Sequence, residues 1–129
     1  MSTYTQLYTH FVFSTKNREM ILSNDWRDEL YRYMISIFQK RKHKVLSIGG
    51  IEDHIHIFIG FHPTDSYSSL MLEVKRDTSL WIKEKRFIKH RFEWQEGYSA
   101  FSYSRSHIDQ VVKYIRNQEE HHKRQSSLD

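Results

Sequence analysis

The pattern of apolar and polar positions divides the chain into segments of two different periods. Residues 4–14 alternate, so that Phe11 and His10 point to opposite sides, and this alternation predicts a β-strand. Apolar residues spaced three and four apart come next, after Ser23 or Asn24, either of which can cap a helix. The two periods together indicate a fold that mixes strands and helices.

Seven elements are predicted in this way, in the order strand, helix, strand, strand, helix, strand, helix. Their predicted positions are residues 4–14, a helix that ends in the basic run Lys40–Lys44, strands at Val45–Ile51 and Asp53–Phe61, a helix that opens at Thr64 or Asp65, a short strand at Ala100–Tyr103, and a last helix from about Arg105 to Lys123. A tight hairpin at Glu52 and Asp53 joins the second strand to the third. This order predicts the α+β class, with a ferredoxin-like antiparallel sheet, helices on one face and a C-terminal helix.

Composition limits the kinds of protein that fit this pattern. A chain of 129 residues is long enough for one domain, predicted to span residues 1–129, and too short for two. The sequence has no cysteine, which excludes disulfides, cysteine zinc sites and a thiolate nucleophile. No apolar run approaches the roughly 20 residues of a membrane span, and the N-terminus lacks the shape of a secretory signal. We therefore expect a cytoplasmic protein with no membrane partner.

Positive charge is concentrated in two segments. The formal net charge is only +4, yet Lys40–Lys44 holds four cations with no acid, and Lys75–Arg91 holds seven basic residues and two acidic ones. These segments are consistent with solvated helix ends. They are equally consistent with a surface that binds a polyanion such as a nucleic acid.

Two histidines on the third predicted strand are candidates for metal ligands. His54 and His56 alternate with Ile55 and Ile57, so the imidazoles share one face and the isoleucines the other. Imidazoles two residues apart on a strand are close enough to bind one ion. The pair alone is weak evidence, because nine histidines make such spacing common by chance, and solvent-facing histidines are the alternative.

The last predicted helix carries a polar stripe beside its apolar one. Its apolar positions are Ile108, Val111, Val112 and Ile115, and beside them lie His107, Gln110, Tyr114, Gln118 and His121. Tyr114 and Gln118 are four residues apart and are therefore neighbours on the helix surface. Tyr114 could be an amphipathic boundary residue. It could also be a functional phenol.

These segments together resemble a known family. The strand Asp53-His54-Ile55-His56-Ile57, the segment from Trp94 to Ser102, and the helix bearing Tyr114-Ile115-x-Asn117-Gln118 and His121-His122 occur in the order found in IS200/IS605-type transposases. Those are single-tyrosine (Y1) members of the histidine-hydrophobic-histidine nuclease superfamily. The opening strand Tyr8–Lys16 is also similar to the family's first strand, so the resemblance covers nearly the whole chain.

The resemblance implies a function and a set of site residues. Tyr114 would be the nucleophile that cleaves and rejoins single-stranded DNA at mobile-element ends through a 5′-phosphotyrosine. His54, His56 and Gln118 would bind a divalent metal, Mg²⁺ or Mn²⁺, because oxygen and imidazole ligands with open positions suit these ions. The substrate would be a DNA hairpin, and the protein a homodimer whose subunits can share active sites. DNA phosphates would be gripped by Lys40, Arg41, Lys42, Lys44, Lys75, Arg76, Lys83, Lys85, Arg86, Lys113 and Arg116.

Two other functions are compatible with parts of this pattern. A noncatalytic nucleic-acid-binding module on a ferredoxin-like sheet would use the basic segments without cleaving the strand. A metal-sensing or metabolite-binding protein would use the histidines alone. The first alternative leaves the coincidence of two histidines, an amide and a tyrosine unexplained, and the second leaves the basic segments unexplained.

Overall fold

The computed structural model of the chain describes residues 4–118, and its elements follow the predicted β-α-β-β-α-β-α order. The strands are β1 (Tyr8–Ser14), β2 (Lys44–Ile51), β3 (His54–Gly60) and β4 (Ser99–Tyr103). The α-helices are α1 (Asn24–Lys40), α2 (Tyr67–Lys85) and α3 (Ile108–Arg116), with 3-10 turns at Lys16–Arg18 and Arg105–His107. The predicted α+β class is confirmed. Within residues 4–118, no helix is long and apolar enough to cross a membrane.

The four strands form one antiparallel sheet in the order β2-β3-β1-β4. The central pair, β1 and β3, is in register from Tyr8↔Gly60 to Ser14↔His54. Helix α1 leads from β1 past β3 to β2, and α2 leads from β3 past β1 to β4. This interleaving of two β-α-β units is the ferredoxin-like arrangement, as the order of elements predicts.

Alternation along β3 sends its side chains to the two faces of the sheet. Ile55 and Ile57 are fully buried in the main core, which the sheet shares with α1 and α2. Phe58 faces the other way and packs against Val111 and Ile115 of α3. The last helix therefore covers the face that α1 and α2 leave open, and the sheet lies between two helical layers.

Helix α3 approaches β2 closely at a glycine. A Cβ added to Gly49 would lie 2.9 Å from the carbonyl oxygen of Ile115 and 3.1 Å from its Cγ2. Real Cβ contacts are seldom this short, so the absence of a side chain at this position lets the helix backbone rest on the strand. Gly49 pairs with His56 of β3, so the close contact also fixes the height of α3 above the histidine strand.

The start of α2 differs from the prediction. The cap is Ser66, whose hydroxyl accepts a hydrogen bond from the backbone N–H three residues on at 3.2 Å, and the prediction of Thr64 or Asp65 was wrong. Asp65 has a different role, because its carboxylate accepts hydrogen bonds from Arg41 and from His43. Asp65 could cap a helix by its local propensity, but its carboxylate is instead engaged in the long-range ion pair with Arg41.

Other boundaries shift by a few residues. Ser23 caps α1 as predicted, but β1 begins at Tyr8 rather than at residue 4, because its partners β3 and β4 end opposite Tyr8. The last helix is α-helical only from Ile108, after the 3-10 turn Arg105–His107. It ends at Arg116, and the rest of the predicted helix, from residue 119 to Lys123 with the His121-His122 pair, lies outside the described residues.

Substitution of Gly49 by Ala tests the close approach of α3. The added methyl group would force the helix away from β2, and overpacking of this kind costs typically about 1–3 kcal/mol. Urea denaturation should therefore show a lower free energy of unfolding for Gly49→Ala. Gly60→Ala is the matched control, because a Cβ there would meet its nearest neighbour at an ordinary 3.6 Å. Equal stabilities of the two variants would contradict the proposed close packing.

Candidate active site

The residues predicted as nucleophile and metal ligands meet in a pocket of about 540 Å³ at the end of the sheet where β1 ends and β3 begins. His54 and His56 line it from β3, Tyr114 from α3, and Gln118 from the chain just beyond α3. Residues 95–99, which lead into β4, close another side. Three distant parts of the chain thus converge where the sequence predicts a site.

His54 is oriented by its neighbour in sequence. Its Nδ1 lies 2.7 Å from Oδ1 of Asp53, and the other carboxylate oxygen accepts a hydrogen bond from Nε of Arg18 at 3.0 Å. Burial of Asp53 opposes its ionisation, but the hydrogen bonds from His54 and Arg18 outweigh it and hold the pKa of Asp53 below its usual value. An ionised carboxylate only accepts, so His54 donates from Nδ1 and keeps Nε2 free for a ligand.

His56 is held by a second histidine. Its Nδ1 lies 2.9 Å from Nε2 of His10 on β1, and both side chains are buried. Burial lowers the pKa of His10 to about 4 and is also the main reason why the pKa of His56 falls to about 3, with nearby His54 and His10 contributing. Both imidazoles are therefore neutral at pH 7, and the hydrogen bond between them uses one N–H hydrogen. If His56 donates it, the Nε2 of His56 is left as a metal ligand.

Tyr114 lies over these histidines. Its ring centroid is 5.8 Å from that of His56 and 6.3 Å from that of His10, in both cases with the rings nearly perpendicular. The side chain is 55% exposed although it borders the pocket. A phenol in this position is open to solvent and to a substrate, and it belongs to the same chain as the histidines that it faces.

Gln118 completes the candidate metal ligands. Its Nε2 lies 3.5 Å from the carbonyl oxygen of Tyr114, which leaves Oε1 as the atom that could bind an ion. In the part of the chain that the structure describes, no three His, Asp or Glu side chains come together as a metal site. Gln118 borders the same pocket as His54 and His56, so its amide oxygen could be a third protein ligand of an ion held between them. Two imidazoles and one neutral oxygen would suit Mg²⁺ or Mn²⁺ and would leave positions for water and phosphate.

The predicted DNA-contacting cations fall into separate groups. Lys113 and Arg116 are exposed on α3, on either side of Tyr114 in sequence. Lys83, Lys85 and Arg86 are exposed at the end of α2. Lys75 and Arg76 line a neighbouring groove of about 770 Å³. These positions are compatible with the predicted phosphate contacts, which stay predictions.

Lys75 also contacts the protein itself. Its ammonium group donates hydrogen bonds to the carbonyl oxygens of Gln95, at 2.7 Å, and of Gly97. The segment that carries these carbonyls lines both the groove and the histidine pocket. Lys75 thus holds in place the wall that separates the two.

The basic run at the end of α1 lies far from the histidines. Lys44 pairs with Gly60, six residues along β3 from His54, which corresponds to about 20 Å. Within the run, Arg41 forms ion pairs with Asp65 and with Glu73, the latter at 2.5 Å. The hydrogen bond from Arg41 is the main cause of the lowered pKa of Asp65.

The other cations of this basic run are exposed: Lys40, Lys42 and Lys44. Charge density along the sequence does not distinguish this end of the sheet from the end that holds the pocket.

Three residues around the pocket were missed by sequence reasoning. His10 and Asp53 orient the two candidate ligands, and Arg18 is the only Lys or Arg among residues 4–118 that lines the histidine pocket. A signal for His10 existed, since it lies on the strand face opposite Phe11. Its contact with His56 follows only from the register of β1 against β3, in which the two residues are diagonal neighbours.

This combination of features defines a class. The sheet topology and the position of Tyr114 beside the paired histidines agree with the single-tyrosine transposases that the sequence resembles. The family model described as "Transposase IS200 like" matches residues 3–118, and the chain belongs to that family. No curated protein matches the sequence.

Two solved structures share the fold. One is a protein from Deinococcus radiodurans R1 assigned as a transposase, with a TM-score of 0.72 and 18% sequence identity, covering 92% of this chain and 95% of that one. The other is a REP-associated tyrosine transposase bound to a REP hairpin, with a TM-score of 0.71 and 18% identity, covering 95% of this chain and 74% of that one. At this identity the likeness concerns the fold.

The buried histidine pair predicts a loss of stability in mild acid. The unfolded chain takes up protons near pH 6.5, whereas folded His10 and His56 stay neutral down to about pH 4 and 3. The unfolded state then binds more protons, so between pH 7 and pH 5 the protein should lose about 2 kcal/mol per histidine. Urea denaturation in EDTA at the two pH values measures this loss.

Two variants make the test specific to the pair. His10→Gln should show a shallower pH dependence than the parent, and His90→Gln, which changes an exposed histidine, should show the parent's dependence. A His10→Gln variant with an unchanged pH dependence would contradict the assignment.

Proposed function

We propose that this transposase cleaves and rejoins single-stranded DNA with Tyr114 as nucleophile, assisted by a divalent cation at His54, His56 and Gln118. The observation that carries the proposal is the position of Tyr114 beside His56. The exposed phenol ring has its centroid 5.8 Å from that of the imidazole, and Nδ1 of that imidazole is already hydrogen-bonded to His10. A helix that only covered a sheet would not need a tyrosine above two buried polar rings.

The chemistry at Tyr114 is a phosphoryl transfer. The phenol loses its proton, its oxygen attacks the phosphorus, and the bond from phosphorus to the 3′ oxygen breaks. The products are a 5′-phosphotyrosine on the protein and a DNA strand that ends in a 3′-hydroxyl. Because the new ester conserves the energy of the phosphodiester, a 3′-hydroxyl can attack it to rejoin strands without ATP.

The pocket supports this reaction through its neutral ligands. A divalent cation bound there would polarise the phosphate and balance the charge that develops on it. An imidazole ligates a metal in its neutral form, so the cation's charge would remain available to an anionic substrate. The hydrogen bonds that Nδ1 of His54 donates to Asp53 and that Nδ1 of His56 makes with His10 hold both rings in one orientation and favour Nε2 as the ligating atom.

The proposed substrate is a DNA hairpin at the end of a mobile element. The REP-associated tyrosine transposase that shares this fold was solved bound to a REP hairpin. The exposed cations of α2 and α3 would provide phosphate contacts. We also propose a homodimer, on the basis of the family resemblance. Since Tyr114 and the histidines of one chain already face each other, the subunits would not have to exchange helices.

Substitution of Tyr114 by Phe should abolish the covalent protein–DNA adduct. Without the phenolic oxygen no ester can form, so adduct formation should fall by at least about 100-fold, while hairpin binding should change by less than about threefold. Denaturing gels with labelled hairpin DNA measure the adduct, and fluorescence anisotropy measures binding. Tyr98→Phe is the control, because Tyr98 borders the same pocket. Undiminished adduct in Tyr114→Phe would remove Tyr114 from the mechanism.

Removal of metal should stop the reaction without unfolding the protein. We expect EDTA to abolish adduct formation and Mg²⁺ or Mn²⁺ to restore it. His54→Ala should weaken Mn²⁺ binding by at least about 10-fold in calorimetry, whereas His90→Ala, at an exposed histidine outside the pocket, should not. Full activity in EDTA would contradict the role of the cation. Hairpin binding with no adduct under any metal condition would instead favour the noncatalytic module.

A further inference from the structure

The turn after β1 places one arginine in the wall of the histidine pocket. Asn17 and Arg18 have φ values of 58° and 56°, in the left-handed region that is costly for residues other than glycine. The turn is held in this conformation by hydrogen bonds from the backbone N–H of Lys16 to the carbonyl of Glu93, at 3.0 Å, and from that of Asn17 to the side chain of Gln95, at 3.1 Å.

The two cations of this turn have different surroundings. The ammonium of Lys16 pairs with Glu93 at 2.8 Å, away from the histidine pocket. The guanidinium of Arg18 pairs through Nε with Asp53 at 3.0 Å, and its side chain remains 64% exposed. Among residues 4–118, this is the only partner of the Arg18 side chain, so both terminal nitrogens are free to bind a ligand.

Asp53 connects the arginine to the candidate metal ligand. One carboxylate oxygen accepts from Nδ1 of His54 and the other from Nε of Arg18. The guanidinium and the imidazole are therefore fixed relative to each other by one rigid, planar group. An exposed ion pair contributes little to stability, so stability alone gives no reason to hold an arginine at a pocket wall in a strained turn.

We infer that Arg18 binds the scissile phosphate with its terminal guanidinium nitrogens during strand cleavage. This inference rests on the proposed function. The planar fork of arginine matches two non-bridging oxygens of a phosphodiester, and its charge does not depend on pH. In this role Arg18 exchanges no proton and forms no covalent bond. It stabilises the negative charge that increases as the oxygen of Tyr114 approaches phosphorus.

Single-turnover adduct formation with labelled hairpin DNA tests the inference. Arg18→Gln should form adduct about 100-fold more slowly, with hairpin affinity changed less than about threefold, because one phosphate contact is a small part of the DNA interface. Arg18→Lys should recover only part of the rate, because an ammonium group lacks the fork. Arg32→Gln is the matched control, since it removes the same charge from an exposed position on α1.

Mn²⁺ titration separates a phosphate contact from an indirect effect. If Arg18 binds phosphate, Arg18→Gln should keep the Mn²⁺ affinity of the parent protein. A fall in Mn²⁺ affinity as large as the fall in rate would mean that Arg18 acts by holding Asp53 and His54, and would overturn the inference. A rate within threefold of the parent would also overturn it, while an inactive parent protein would overturn the proposed function and this inference together.

Discussion

The register of β1 against β3 is the constraint on which the rest of the structure depends. Pairing of Tyr8 with Gly60 through Ser14 with His54 puts His10 diagonal to His56 and sends both rings to the face that α3 covers. A slip of one residue would move His54 and His56 into the main core and Ile55 and Ile57 out of it. Burial of the isoleucines therefore specifies the position of the histidines. The same strand register is needed to pack the core and to place the site residues.

Helix α3 converts that register into a pocket. Its apolar residues Val111 and Ile115 pack on Phe58, and the absence of a side chain at Gly49 lets the helix rest on β2. Tyr114 lies between Val111 and Ile115 in sequence, and the packing of these two residues holds it above His56. The arrangement places the exposed phenol of Tyr114 beside the buried imidazole of His56.

The sequence predicted the parts of this structure that depend on local pattern. Period-two alternation located β3 and its two faces, and helical spacing located the stripe with Tyr114 and Gln118. The supporting residues were missed because their roles depend on distant contacts. His10 acts through cross-strand register, and Arg18 through a left-handed turn that no periodic pattern marks. The cap of α2 was misplaced because a distant Arg41 occupies Asp65, and charge density alone did not reveal that Lys44 lies at the opposite end of the sheet.

The central claim is that hydrogen bonds donated by Nδ1 hold both candidate ligands as the tautomer with a bare Nε2. A two-bond ¹H–¹⁵N correlation spectrum of histidine-labelled protein at pH 7, free of metal, reads this directly from the nitrogen shifts. We expect a proton on Nδ1 and a bare Nε2 for both His54 and His56. A proton on Nε2 of either ring would contradict it, because that nitrogen could not then bind a cation beneath Tyr114.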